Sequence, residues 1–421
     1  MRRMQARDSM QADEAAQTLK WRFRVDKYAE QLNQLLSEDL GSVRLRERAA
    51  FDQLLAEADG RVVLFGAGNL GRKALRCLRG VGVEPLAFTD NNPASWGTST
   101  DGIPVLSPAE AAEKYGRTAL FVVTIWSLGH SFRQTQEQLS RLGCRHVVGS
   151  SPLRWKFAEQ LLPDFCQDLP HKVYEQADEV RAAASVWADD YSRQEYLNHL
   201  KWRALGDLGA LEPPDTEASY FLDSLYSIIP GEVYVDCGAY DGDTAKEVLQ
   251  RRLDIGSFFA IEADPANFRA LKQWTSTLDP ETARRILPCN VAVGASRGQL
   301  RFNATGGEGA CIDEDGDVVV DCVPIDELAG ESKPTFIKMD IEGFEMDALE
   351  GARGVIQKYQ PILSICVYHR QSDLRRVPLF IRSLVKDYRM FLRPHDVDGW
   401  QLVCYAVPPD RLRKNERGPE A

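Results

Sequence analysis

Two glycine-rich turns, each leading out of an apolar run and into a helical pattern, constrain this chain more than any other feature. The first lies in RVVLFGAGNLGRKALRCL, where Gly66, Gly68 and Gly71 form G-x-G-x-x-G directly after a strand. The second lies in EVYVDCGAYDGDTAKEVLQ, where a strand ends in Asp236, passes through Gly238 and Gly242, and enters a helix near Thr244. Glycines at such a turn let backbone approach a ligand closely, and the helix N-terminus behind it favours negative charge. Each turn is followed by a further strand that ends in an acid: Asp90 in EPLAFTDNNP and Glu262 in SFFAIEADP. A carboxylate roughly 20 residues past the turn is placed to accept hydrogen bonds from ribose hydroxyls. The pattern predicts two nucleoside-binding α/β units without saying which nucleoside each would take.

The rest of the chain arranges itself around these turns. At 421 residues it exceeds a single hydrophobic core. Residues 1–58 read as a helical segment, with Leu32, Leu35 and Leu36 and then Phe51, Leu54 and Leu55 spaced for one helix face. Residues 59–150 alternate strands and helices as a small Rossmann-like nucleotide-binding domain. Residues 151–230 lack strand signals and read as a helical connector, in which Trp187, Tyr191, Tyr196 and Trp202 are helix-packing residues. This connector is expected to cover the site that follows it. Residues 231–408 again alternate strands and helices, so both units should carry mostly parallel sheets. Near their end, RMFLRP and WQLVCYAV flank Asp398-Gly399, which predicts an antiparallel pair at a sheet edge. Residues 409–421 read as a disordered tail.

Composition narrows the function classes. A net charge of −11 argues against broad nucleic-acid binding, which needs a basic face. No run reaches the roughly 20 apolar residues of a membrane span. The N-terminal stretch lacks the apolar core of a secretory signal, so a cytoplasmic enzyme is expected. The nine cysteines are scattered without a C-x-x-C pair, as expected of buried reduced thiols.

The C-terminal segment from about Tyr220 to Val407 resembles the FkbM family of S-adenosylmethionine-dependent methyltransferases. The resemblance is carried in order by VDCGAYDGDT, AIEADPANF, NVAVG, PIDEL and FIKMDIEGFEMDALEGA, the last being the most specific. It implies a seven-stranded class I methyltransferase fold with S-adenosylmethionine lying across the carboxyl ends of the strands. Asp236, Gly238, Ala239 and Gly242 would then face the methionine part, Glu262 the ribose and Asn290 the adenine. The DCGAY turn departs from the DVGAN-like turn of many members and puts Tyr240 and Asp241 at the loop tip. The resemblance further implies O-methylation of sugar or polyketide hydroxyls, with a small-molecule or glycan acceptor.

Methyl transfer needs an aligned nucleophile, helped by a positioned base when the acceptor is a hydroxyl. Asp340 at a strand end and Glu342 two residues on are candidates for that base or for binding the acceptor. Both are also oxygen donors of the kind a divalent cation favours, but no third ligand is identifiable. His369 follows the strand PILSICVYHR and suits a general base by its ordinary pKa, and Arg370 beside it suits an anionic substrate group. Asp340 and His369 lead, with His395 weaker.

The N-terminal unit is similar to the small nucleotide-binding domain at the front of some sugar-modifying enzymes, through FTDNNPASWG and GIPVLSPAEA. A nucleotide-sugar or a dinucleotide at Gly66, Gly68, Gly71 and Asp90 is one reading; a scaffold or docking domain is another. A third, half of an oxidoreductase, lacks a hydride-transfer site. For the whole chain, the alternatives to O-methylation are N-methylation, or a nucleotide-sugar-binding protein that keeps a cofactor pocket without turnover.

Overall fold

The computed structural model describes residues 27–214, 219–303, 311–312, 316 and 318–413. It divides into two compact units. One holds the described residues up to Ser185 together with Asp189–Glu212, the other Val186–Ala188 and the described residues from Pro213 onward.

The first unit is built on a six-stranded sheet of β1 Val62–Phe65, β2 Ala87–Thr89, β3 Ser99–Thr100, β4 Ile103–Leu106, β5 Leu120–Val123 and β6 His146–Gly149. Their order is β3-β4-β2-β1-β5-β6, all parallel except the edge strand β3. All four residues of β1 are buried, because a parallel sheet is covered on both faces. Val62 and Leu64 point to one side, where they pack with Phe51 and Leu55 of helix Leu40–Glu57 and with Leu75 and Leu78 of helix Asn69–Gly80. Val63 and Phe65 point to the other side, against Phe121 and Leu139. Leu153, Phe157 and Leu161 also enter the first of these clusters, so the helices from Ser151 to Leu205 belong to this unit.

The second unit contains a seven-stranded sheet. Its strands are β7 Glu232–Cys237, β8 Ile255–Ile261, β9 Ile286–Cys289, β14 Phe336–Met339, β15 Ile362–Cys366, β16 Arg389–Pro394 and β17 Leu402–Val407, in the order β16-β17-β15-β14-β7-β8-β9. The five strands from β15 to β9 run parallel. β17 pairs antiparallel with β15 and β16 with β17, across a turn in which Asp398 and Gly399 have φ of +53° and +83°. A seven-stranded sheet is what the resemblance implies. The chain lays down β7, β8 and β9 outward on one side, then returns to the centre with β14. The order therefore reverses between β7 and β14, and a crevice beyond the carboxyl ends of the strands at such a switch is the usual ligand site of an open α/β sheet.

One element was not expected from the sequence. Between β9 and β14 a second small sheet forms from β10 Ala292–Val293, β11 Gly298–Asn303, β12 Cys311–Ile312 and β13 Val318–Val323, ordered β10-β13-β11-β12. Val320 and Cys322 alternate inward on β13 and bury with Ala292.

The tail also differs from expectation over 409–413. Pro409–Arg411 forms a helical turn, and Arg411 is buried with its guanidinium on the Glu232 carboxylate at 2.9 and 3.0 Å. The same guanidinium donates to Ser227 O, and Glu232 also accepts from Ile229 N. A buried acid at the start of the central strand needs this cation, and the need orders the segment. Residues 414–421 of the expected tail, and 1–26 of the expected helical segment, lie outside the described residues. Arg411→Ala should cost about 3–5 kcal/mol, the cost of leaving a buried charge unpaired. Chemical denaturation followed by tryptophan fluorescence would read this as a lower midpoint for the second unit.

Candidate active site

The carboxyl edge of the second sheet collects most of the residues singled out from the sequence. At the end of β7 the chain turns through Gly238 and Gly242, both in the left-handed region at φ +83° and +92°. Each also lacks room for a side chain. A Cβ on Gly238 would sit 2.0 Å from Asp340 O, and one on Gly242 would sit 2.6 Å from the Trp274 ring. The turn is anchored by Gly238 N and Ala239 N, which both donate to Ile261 O at the end of β8.

Glu262, one residue past β8, ties two loops together. Its carboxylate accepts from Tyr240 N at 2.8 Å and from Asp264 N at 2.7 Å. The cap of helix Pro265–Thr275 is instead Asp264, which accepts from Ala266 N and Asn267 N. Burial pushes Glu262 up from 4.5 to about 7, against the two amide donors that favour its charged form. Asn290 donates its amide to Glu262 O at 2.8 Å and Ala263 O at 3.2 Å, so it fixes the strand end and is itself exposed.

Asp236 stands beside Lys338 in register across β7 and β14, and the two form an ion pair at 2.9 Å with both side chains nearly inaccessible. Lys338 also donates to Gly238 O at 2.8 Å and lies over the Tyr220 ring at 5.1 Å. Burial works against its charge, but Asp236, Asp243 and Asp340 outweigh it and hold its pKa above the ordinary lysine value. Asp236 is raised to about 6 by burial, and its Oδ2 is buried without a hydrogen-bond partner.

Asp340 follows β14, with its backbone N–H on Cys237 O. Its carboxylate accepts from the Tyr220 hydroxyl at 2.8 Å and the Tyr368 hydroxyl at 3.1 Å, and faces His369 Nε2 at 3.3 Å. The side chain keeps 23% exposure. Burial would raise its pKa, but His369, Lys338 and the Tyr220 hydroxyl hold it below the ordinary carboxylate value.

His369 is enclosed by acids. Its Nδ1 lies 2.8 Å from Glu345 Oε1, and its Nε2 lies 3.3 Å from Asp340 and 3.7 Å from Glu342. Burial opposes protonation, yet the three carboxylates raise the ring to about 10. An imidazolium has no lone pair to receive a proton, which argues against the general-base role expected of this residue at neutral pH. Glu345 Oε1 also accepts from Ile341 N and Gly343 N, and so shapes the turn in which Glu342 takes φ +55°. Tyr220 and Tyr240 share this left-handed backbone, at φ +69° and +47°. Such strain gathers where a site over-determines its backbone. His395 stands apart from this cluster, at 2.7 Å from the Tyr405 hydroxyl.

Residues 236–396 match the sequence family described as Methyltransferase FkbM domain. The match spans well under half of the chain and makes this segment similar to that family. A comparison with curated proteins finds no match. Among solved structures, the chain is similar to the methyltransferase FkbM from Methylobacillus flagellatus KT, with 24% identity and a TM-score of 0.72 over 91% of this chain and 99% of that one. At that identity the likeness is one of fold. The Rex-family repressor RSP aligns over 21% of this chain and 44% of its own at 18% identity and a TM-score of 0.19, too low to carry an argument.

Four residues around this site were not singled out from the sequence: Lys338, Glu345, Tyr220 and Tyr368. A lysine inside the apolar strand FIKM was a readable signal, since a charge there has to be paired. Glu345 was visible only as part of the DIEGFE motif, and the two tyrosines carry no local signal.

In the first unit, Gly66 has φ +112°, Gly68 precedes helix Asn69–Gly80, and Gly71 packs so tightly that a Cβ would sit 2.0 Å from Gly66 O. Asp90 accepts from Ala67 N at 3.0 Å and Asn92 N at 2.9 Å. Both glycine turns are thus tied by an amide to the acid at the end of the neighbouring strand. Among the described residues, no group of three or more His, Cys, Asp or Glu side chains is arranged to hold a metal ion.

The raised Glu262 carries a sign. Unliganded, this group binds more protons folded than unfolded between pH 4.5 and about 7, so its contribution to stability declines as pH rises through that window. Hydroxyl donors from a bound nucleoside would favour the charged form and lower its pKa. Binding of S-adenosylhomocysteine near the middle of that window should therefore release protons. Calorimetry in buffers of different ionisation enthalpy would measure the release, and Glu262→Gln should remove it; uptake instead of release would refute the assignment.

Proposed function

We propose that this chain is an S-adenosylmethionine-dependent O-methyltransferase acting on a hydroxyl of a carbohydrate, nucleotide-sugar or related polyhydroxylated metabolite. The observation that carries the reading is Asp340: a partly exposed carboxylate at the switch point, held ionised against burial by His369, Lys338 and the Tyr220 hydroxyl, and also accepting from Tyr368. The cofactor reading rests on the family together with a donor set that suits it. Asp236 brings a buried oxygen without a partner, Glu262 a strand-end carboxylate, and Gly238, Ala239 and Gly242 a close backbone turn, with Asn290 fixing the edge. When bound, the cofactor supplies a methyl group made electrophilic by a sulfonium.

Asp340 receives the acceptor hydroxyl as a hydrogen-bond donor and orients its oxygen. A lowered pKa does not disqualify it as the proton acceptor. An alcohol oxygen that gains a methyl group becomes an oxonium, which is acidic enough for a weak base to deprotonate it. His369 keeps the Asp340 and Glu342 carboxylates in place as a fixed cation, and Glu345 holds His369. Asp340 and Glu342 both face the imidazolium, so no metal enters this proposal.

For the first unit we retain a nucleotide-sugar or dinucleotide as the proposed ligand. Support comes from Gly68, where a Cβ would meet nothing within 4 Å, ahead of a helix whose N-terminus no side chain caps.

Purified protein should release S-adenosylhomocysteine only when a hydroxylated acceptor is supplied. Asp340→Asn should lower turnover by about 10²–10⁴-fold, the usual worth of a positioned proton acceptor, while S-adenosylhomocysteine affinity holds. Undiminished turnover in that variant would sink the role of Asp340, and release with amine acceptors alone would favour N-methylation.

A further inference from the structure

Among the cations around the site, Lys338 is taken by Asp236, and His369 by Glu345, Asp340 and Glu342. Arg370, the next residue after His369, is different. Its side chain is exposed, and among the described residues no carboxylate pairs with its guanidinium. The nearest acid in sequence, Asp373, spends its carboxylate on Arg370's own backbone N–H at 3.0 Å. An arginine with this freedom normally wanders in solvent, but this one is held. Its guanidinium lies over the Phe344 ring at 5.6 Å. Its Nε comes within 2.8 Å of where a Cβ on Gly343 would sit, so the glycine of the DIEG turn leaves the space this side chain uses.

We propose that Arg370 is the anchor for an anionic group on the methyl acceptor, so that the acceptor is a hydroxylated molecule bearing a carboxylate or a phosphate. The proposal rests on the methyl-transfer reading of the same site. A guanidinium held over an aromatic face still has N–H groups to offer, and its planar fork can read a carboxylate or phosphate with two parallel hydrogen bonds. Stacking also removes rotamer freedom before binding, so less is lost when the anion arrives. Phe344 and Gly343 belong to the same turn as Asp340 and Glu342, and Glu345 Oε1 fixes that turn through Ile341 N and Gly343 N. The anion and the hydroxyl to be methylated would thus be read by two ends of one short loop. The carboxylates beside it do not cancel the arginine, because His369 engages them.

The test is equilibrium binding of three probes to protein saturated with S-adenosylhomocysteine: methyl α-D-glucopyranoside, D-glucuronate and D-glucose 6-phosphate. The two anions should bind about tenfold or more tightly than the neutral sugar, as expected for charge-assisted hydrogen bonds. The better of the two separates carboxylate from phosphate. Arg370→Gln should abolish the preference without changing S-adenosylhomocysteine affinity, and Arg370→Lys should keep only part of it. A preference that survives in Arg370→Gln, or no preference in the unaltered protein (binding of none of the three included), overturns the proposal. The methyl-transfer reading fails separately, if the anions bind through Arg370 and no acceptor yields S-adenosylhomocysteine from S-adenosylmethionine.

Discussion

Lys338 is a charged amine sunk into the middle of a sheet, and much of the second unit is arranged to make that tolerable. Placing an ammonium in a low-dielectric interior costs several kcal/mol unless it is paired and hydrogen-bonded. Here the pairing comes from Asp236 on the neighbouring strand, and the remaining donors reach the Gly238 carbonyl and the face of Tyr220. The pair bridges β7 and β14, the two strands between which the sheet order reverses. The charge therefore sits at the point where the strand order reverses, close enough to Asp243 and Asp340 for both to favour its ionised form.

What lies above is a balance of buried and half-buried charges. Acids outnumber bases at the carboxyl edge, and His369 is the piece that makes their crowding possible. Three carboxylates facing one imidazole repel one another unless the ring is protonated, so the histidine is best understood as a structural cation. Against burial, Glu345 first and then Asp340 and Glu342 raise its pKa, and its contact with Asp340 in turn lowers the pKa of that acid. The two tyrosine hydroxyls add hydrogen bonds to the Asp340 carboxylate.

The strands and glycine turns of the second unit were legible in the sequence because their signals are local, whereas the seven-stranded sheet was implied only by the family resemblance. Asp236, Glu262 and Asp340 stood out as acids at strand ends and His369 as the residue after an apolar run, and the fold brings them to one edge of the sheet. The small sheet β10-β13-β11-β12 was missed because two of its strands are only two residues long, too short for period-two alternation to register. The role of Glu345 was hidden by its position inside a helix start, where an acid is expected anyway. Tyr220 was out of reach entirely, since it meets Asp340 from 120 residues away. His369 shows a different limit. Its location was readable, but its protonation state depends on three acids that only the folded chain brings together.

The two glycine turns look alike in sequence and are built differently in space. In the first unit, Gly71 closes against Gly66, so that turn is sealed within itself. In the second, Gly238 closes against the carbonyl of Asp340, so the turn is keyed to the loop that carries the carboxylate. The two loops cannot shift independently of one another. A chain built this way has little freedom to remodel Asp340 or its turn, because the glycine loop would have to move as well. Change at this edge is then left to side chains that lean on the joint without belonging to it, such as those following β15.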